Sequence, residues 1–224
     1  MSSILFLVTT LPVLTAALAV PAVAGPILNE ICYDGVGTDA DEAFTEIYGV
    51  GGTSLSGWSL RGINGSTGSA YRTISLTGMT IPTDGVLVIA TSSALGSVLA
   101  ARDYTANVDW QNGPDAVQLL DASGTIVDAL QYGDAGLYNA GEGNFAVDVS
   151  AGSSLSRNFL AADTNDNFTD FGALATPTPG VGPTPAVPEP STALLLGAGG
   201  LGLAALRRRR KVMYNVLFCK HDET

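Results

Sequence analysis

The chain has 224 residues, enough for one domain of ordinary size with segments to spare at either end. Its formal net charge of −11 hides a split: residues 25–187 carry 18 acidic side chains against four arginines and no lysine, a net of −14, while most remaining cations sit together at 207–211. A surface this negative repels phosphate backbones and excludes nucleic acid as a partner. The two cysteines, Cys32 near the start of the domain and Cys219 in the tail, fall on opposite sides of the membrane in the topology expected below and cannot pair while it holds.

At the start, residues 4–20 form an apolar run, and Ala22-Val23-Ala24 supplies the small residues that precede a signal-peptidase cut. Residues 1–24 therefore read as a secretory signal helix, cleaved between Ala24 and Gly25 and delivered to the Sec export machinery. Met1-Ser2-Ser3 lacks the usual Lys or Arg, so either the start codon is misassigned or the n-region depends on the amino terminus alone. A non-cleaved N-terminal anchor is the alternative to a cleaved signal, and export follows either way.

Beyond Gly25, short alternating runs succeed one another between turns rich in Gly, Asn, Ser and Asp. Ile27-Leu-Asn-Glu-Ile-Cys-Tyr33 is strand-like, with Glu30 set inside it and Cys32 expected as a small buried residue. Ala43-Phe-Thr-Glu-Ile-Tyr48 alternates, placing Phe44 and Glu46 on one face and Ile47 on the other. Leu55-Ser-Gly-Trp-Ser-Leu60 and Tyr71-Arg-Thr-Ile-Ser-Leu76 follow, and Val86-Leu-Val-Ile-Ala90 is apolar enough for a central strand. Residues 92–103 have room for a helical turn or two. Residues 116–120 and 125–132 flank Asp121-Ala-Ser-Gly124 and read as a hairpin. Many short strands at close spacing predict an all-β fold, a sandwich or barrel.

Residues 181–187 form a Pro-rich spacer, a composition that favours extended chain at about 3.1 Å per residue. Pro188-Glu189-Pro190 follows, then an uncharged stretch at 191–206, then Arg207, Arg208, Arg209, Arg210 and Lys211. As a helix the uncharged stretch would span about 24 Å, slightly short of the ~30 Å hydrocarbon core, and the five cations would stop transfer on the cytoplasmic side. A short C-terminal transmembrane helix is thus expected, with residues 212–224 as a cytoplasmic tail that carries Cys219 and the chain's one histidine, His221.

The order Pro188-Glu189-Pro190, apolar segment, Arg cluster resembles the PEP-CTERM sorting signal over residues 187–210. The resemblance implies an exosortase-type membrane peptidase as partner, transient insertion in the inner membrane, and release or display at the cell surface. The chain departs from that family in running on past Arg210.

A second resemblance covers residues 26–180. Ile27-Leu-Asn-Glu-Ile31, Glu46-Ile-Tyr48, Leu55-Ser-Gly-Trp-Ser-Leu60, Gly85-Val-Leu-Val-Ile-Ala90, Asp121-Ala-Ser-Gly-Thr-Ile-Val-Asp128, Ser154-Leu-Ser-Arg157 and Pro177-Thr-Pro-Gly180 follow in the order of the lamin-tail domain. That family implies an immunoglobulin-like β-sandwich for residues 25–180. Gly49, where the family usually has Asn, and residues 39–43 depart from its pattern.

Catalytic sets are scarce. With His221 in the expected cytoplasmic tail, no exported site can use a histidine base or ligand, and no phosphate-cradling Gly-Lys-Thr element or Cys-x-x-Cys occurs. A carboxylate pair, Glu30 with Glu46, is the remaining catalytic option, against a structural role in orienting loop backbone. Asp163-Thr-Asn-Asp-Asn167 offers oxygens from Asp163, Asn165 and Asn167 at positions 1, 3 and 5, as calcium loops do, but Phe168 and Leu174 stand where Gly and Glu are needed. It reads as a weak calcium site or as a polar Asx-turn loop. Asp34, Asp39, Asp41 and Glu42 make a second acidic cluster, read as a solvated loop. Trp58 is expected in the core, and Trp110 either packed or exposed as a sugar platform. The expectation is a non-enzymatic structural or interaction module with no resident cofactor. Its alternatives are a calcium-dependent glycan-binding or adhesive module for exopolysaccharide or other surface proteins, and an accessory domain of a separate hydrolase.

Overall fold

In the computed structural model, which describes residues 25–158 and 162–183, two β-sheets face each other across one main apolar core. The chain divides into two units after Pro183, and every described residue belongs to the first. The strands and short helices are β1 (Ile27–Cys32), α1 (Asp39–Glu42), β2 (Phe44–Tyr48), β3 (Ser59–Asn64), β4 (Ala70–Ser75), β5 (Val86–Ala90), α2 (Gly96–Ala101), β6 (Tyr104–Thr105), β7 (Asp115–Leu120), β8 (Ile126–Tyr132), β9 (Ser154–Arg157), α3 (Asn167–Asp170) and β10 (Phe171–Leu174). The larger sheet runs β10-β9-β1-β2-β5-β6 and the smaller β4-β3-β7-β8. All pairings are antiparallel except β5 with β6.

Alternation decides which side chains meet. Leu28, Ile47, Leu87 and Ile89 of the larger sheet pack against Leu60, Val117, Leu119 and Leu130 of the smaller, all with no exposed surface. Side chains of the opposite parity in the larger sheet are buried as well. Cys32, Phe44, Val86, Val88 and Ala90 form a second cluster on the outer face, beneath Ala94 and Val98 of the α2 region. A strand buried on both faces reads as a continuous apolar run, and Val86-Leu-Val-Ile-Ala90 is one. A bulge between Leu28 and Glu30 shifts the register of β1, so that Leu28 and Ile31 both join the main core while Cys32 joins the outer cluster.

Several expectations hold. The hairpin of β7 and β8 turns over Asp121, whose carboxylate accepts from Ser123 N and Thr125 N, and α2 supplies the short helix. Cys32 is buried and free. Two details differ. Leu55-Ser-Gly-Trp58 is a turn rather than a strand, with Gly57 at φ +82°, a region that L side chains rarely adopt. Trp58 is accordingly half-buried, packed on the margin of the main core, whereas Trp110 lies within it and donates its indole N–H to Thr45 Oγ1 at 2.8 Å. Among the described residues no helix is long and apolar enough to cross a membrane. The expected signal helix and the expected transmembrane helix at 191–206 fall outside the described residues.

The core assignment predicts unequal costs for one chemical change. Leu87→Ala should destabilise the domain by about 2–5 kcal/mol in urea unfolding. Leu137→Ala, at a side chain 86 % exposed, should stay within about 0.5 kcal/mol of the parent. Similar costs at the two positions would contradict the core described.

Candidate functional site

Glu30 and Glu46 are direct cross-strand partners in β1 and β2, and both are fully buried. Parity explains their position: Thr45 and Ile47 face the main core, so Glu46 faces outward, and Glu30 lies opposite it. Two carboxylates side by side in an apolar setting are costly unless each acquires donors. A segment at 177–182 crosses over them and supplies those donors. Thr178 N and Thr178 Oγ1 donate to Glu30 Oε1 and Oε2, each at 2.8 Å, and Gly180 N donates to Glu46 Oε2 at 2.8 Å. Ser154 Oγ adds a bond to Glu30 Oε1 at 2.6 Å, and Asn29 Nδ2 donates to Glu46 Oε1. Gly180 has φ +83°, the conformation that turns its N–H onto Glu46, and a Cβ there would also press on Ala101 at 3.3 Å. Burial pushes the Glu46 carboxyl up to about 8, against the pull of the Gly180 and Asn29 bonds.

A second group of acids lies where the two sheets meet at one edge. Arg157 of β9 bonds Asp128 of β8 at 2.6 Å, with both side chains fully buried. The same Asp128 Oδ2 accepts from Leu28 N at 2.6 Å, and Arg157 Nε donates to Leu28 O at 2.8 Å, so one ion pair ties β1, β8 and β9 together. The guanidinium also stacks over Phe171 at 4.5 Å and lies 3.5 Å from Asp170 and 3.9 Å from Asp163. Glu142 approaches from the loop between β8 and β9; burial first, then the charges of Asp128 and Asp163, push its carboxyl up to about 8.

The calcium loop expected at Asp163, Asn165 and Asn167 is not assembled as a ligand set. Asn167 is fully buried, and its Oδ1 accepts from Gln131 N and Glu142 N while its Nδ2 donates to Ala129 O, so its amide is used within the fold. Asp163 Oδ1 accepts from Asn165 N at 3.1 Å in an Asx turn. Asp163 does come close to Asp128 and Glu142, a grouping that sequence spacing gave no hint of. Asp39, Asp41 and Glu42 lie on α1, which has no buried residue; Glu42 accepts from Val36 N across the loop. A cleft of about 300 Å³ lined by Thr91, Ser92, Ser93, Asn107 and Asp109 offers hydroxyls and one carboxylate. Gly25 is the first described residue; Ala24, Pro188, Glu189, Pro190 and Arg207, Arg208, Arg209 and Arg210 lie outside the described residues.

The class defined by this architecture is an all-β, two-sheet sandwich, consistent with an immunoglobulin-like fold. Residues 19–134 match the family model of the Lamin Tail Domain, more than half of the chain, and the protein belongs to that family. Residues 186–210 match the PEP-CTERM protein-sorting motif, which implies export, exosortase processing and a surface or extracellular destination. No curated protein matches the chain. The family match ends near the close of β8, yet β9 and β10 extend the larger sheet alongside β1, so the sandwich continues well past the matched stretch.

The buried Glu46 predicts a pH dependence with a definite sign. The folded carboxyl holds its proton up to about 8, whereas a free glutamate releases it near 4.5. Between those values the folded state binds more protons than the unfolded, so this group's stabilisation is complete below the lower value and is lost as pH rises through the upper. The urea midpoint should therefore fall from pH 5 to pH 8, with Glu142 acting in the same direction. Glu46→Gln should flatten that slope. An unchanged slope in the variant would contradict the assignment.

Proposed function

We propose that the protein is a non-catalytic structural or interaction module, exported and displayed at the cell surface or in the extracellular matrix. The observation that carries this reading is the coupling of a lamin-tail sandwich to a PEP-CTERM motif within one chain. The carboxylate pair supports the non-catalytic part. Glu30 and Glu46, the remaining candidates for acid–base chemistry, have no exposed surface and are bonded to residues 178–180. The one histidine of the chain is His221, after the sorting motif. The adhesive alternative loses Trp110 as a sugar platform, because its ring is in the core.

The acidic balance suits a soluble, hydrated surface that interacts with cations or neutral glycans rather than polyanions. In this reading Pro188-Glu189-Pro190 is the element read by the exosortase-type peptidase, and Arg207, Arg208, Arg209 and Arg210 hold the precursor in the membrane until processing.

Fractionation of cells expressing Glu189→Ala tests the sorting half. The variant should accumulate as full-length precursor in the membrane fraction, while the parent is shortened and found at the surface. Unchanged processing and display would overturn the role given to the motif. Hydrolase activity in the purified protein that is lost in Glu30→Gln would overturn the non-catalytic half.

A further inference from the structure

The acids around Arg157 are more numerous than one guanidinium can neutralise. Asp128, Glu142, Asp163 and Asp170 converge there from β8, the β8–β9 loop, the loop after β9 and α3. Asp170 is fully engaged: Thr164 N and Thr164 Oγ1 donate to it at 2.8 and 2.7 Å, which holds the 163–166 loop in place. The other three are not. One carboxylate oxygen from each of Asp128, Glu142 and Asp163 lies within 4.8 Å of the others. Asp128 has no exposed surface, and while its Oδ2 bonds Arg157 and Leu28, its Oδ1 is buried with no donor. Glu142 Oε2 is likewise buried and without a donor. A buried acceptor left unsatisfied is costly, more so when charged, so two such oxygens from converging acids point to a positive partner.

We propose that Asp128, Glu142 and Asp163 form a divalent-cation site of the calcium type, which staples the two loops after β8 and β9 to the edge of the sandwich. The donor set is made of hard carboxylate oxygens, which suits calcium, magnesium or manganese rather than zinc or copper. Calcium fits best. It accepts irregular coordination completed by water, and the 30 % exposure of the Asp163 side chain leaves an open side for water ligands. Positioning is built in: Asn167 Oδ1 accepts from Glu142 N at 3.0 Å, and Asp163 is fixed by its Asx turn and by the Thr164–Asp170 bonds. Arg157 is the second charge on Asp128 and takes its Oδ2, leaving Oδ1 to the ion. Three protein carboxylates beside a fixed guanidinium make a site of modest affinity, on the order of 0.1–1 mM as in extracellular calcium modules. A proton retained on Glu142 would relieve the same repulsion without metal, and that alternative predicts no response to calcium.

The test is calcium titration of the full-length protein in detergent, followed by calorimetry and by thermal unfolding, against sodium chloride at matched ionic strength. Millimolar calcium chloride should raise the melting temperature by several degrees and give saturable heat with one site per chain. Asp163→Asn, at the most exposed ligand, and Glu142→Gln should each weaken calcium affinity at least tenfold. Asp121→Asn, in the β7–β8 turn, should bind calcium as the parent does. The absence of a calcium-specific shift in the parent, or equal calcium affinity in Asp163→Asn and Glu142→Gln, would overturn the proposal.

Discussion

Two glutamates placed side by side on the outer face of the larger sheet constrain much of what surrounds them. That face is largely apolar, with Cys32, Phe44, Val86 and Val88 beneath the α2 region, and it leaves Glu30 and Glu46 with no exposed surface. The fold answers by bringing a segment from about 150 positions away in sequence across the sheet. Its two amides and one hydroxyl bond the carboxylates, and Gly180 makes the turn possible. The domain therefore closes at its C-terminal segment, and it does so with hydrogen bonds rather than with apolar bulk. Beyond that closure the sorting motif begins within a few residues.

The edge of the sandwich follows the same logic with the opposite balance. At Glu30 and Glu46 the donors suffice; at Asp128 and Glu142 they do not, although Arg157 contributes a full charge. A buried ion pair is weak evidence of net stability, but removing one partner leaves a charge stranded and is costly. Arg157 is thus committed chiefly to Asp128 and Leu28, and the proposed cation would supply the counter-charge for Glu142 and Asp163 once both are ionised. In a domain with 18 acids, four arginines and no lysine, a bound metal ion is the natural source. An exported protein meets such ions routinely, which connects the charge balance of the ectodomain to the destination implied by the sorting motif.

Much of the fold was legible because its strands carry strong local signals. Val86-Leu-Val-Ile-Ala90 is apolar enough for a central strand; it lies next to the two-residue β6 near one edge of the larger sheet, but is buried on both faces. Asp121-Ala-Ser-Gly124 forms the expected turn. Glu30 and Glu46 stood out as acids inside apolar runs, and the Asn-Glu and Pro-Thr-Pro-Gly segments marked both ends of the clasp, although nothing in the sequence joined them. Trp58 misled because Leu-Ser-Gly-Trp has the apolar content of a strand, while Gly57 forces a turn. The Asp128–Glu142–Asp163 group was invisible for a different reason. Its members come from three segments with no shared spacing, and Glu142 sits in a glycine-rich loop that gives no periodic signal. Asn167 looked like a ligand because spacing cannot show that a side chain turns inward to bond Ala129, Gln131 and Glu142.

Amide hydrogen exchange at Thr178 and Gly180 in the full-length protein tests most directly whether the acidic pair closes the domain. If it does, both amides exchange as slowly as those of β1 and β2, since they open only when the sheet's outer face opens. Exchange at the rate of an unprotected loop, with β1 and β2 still protected, would contradict the clasp and the domain boundary drawn from it.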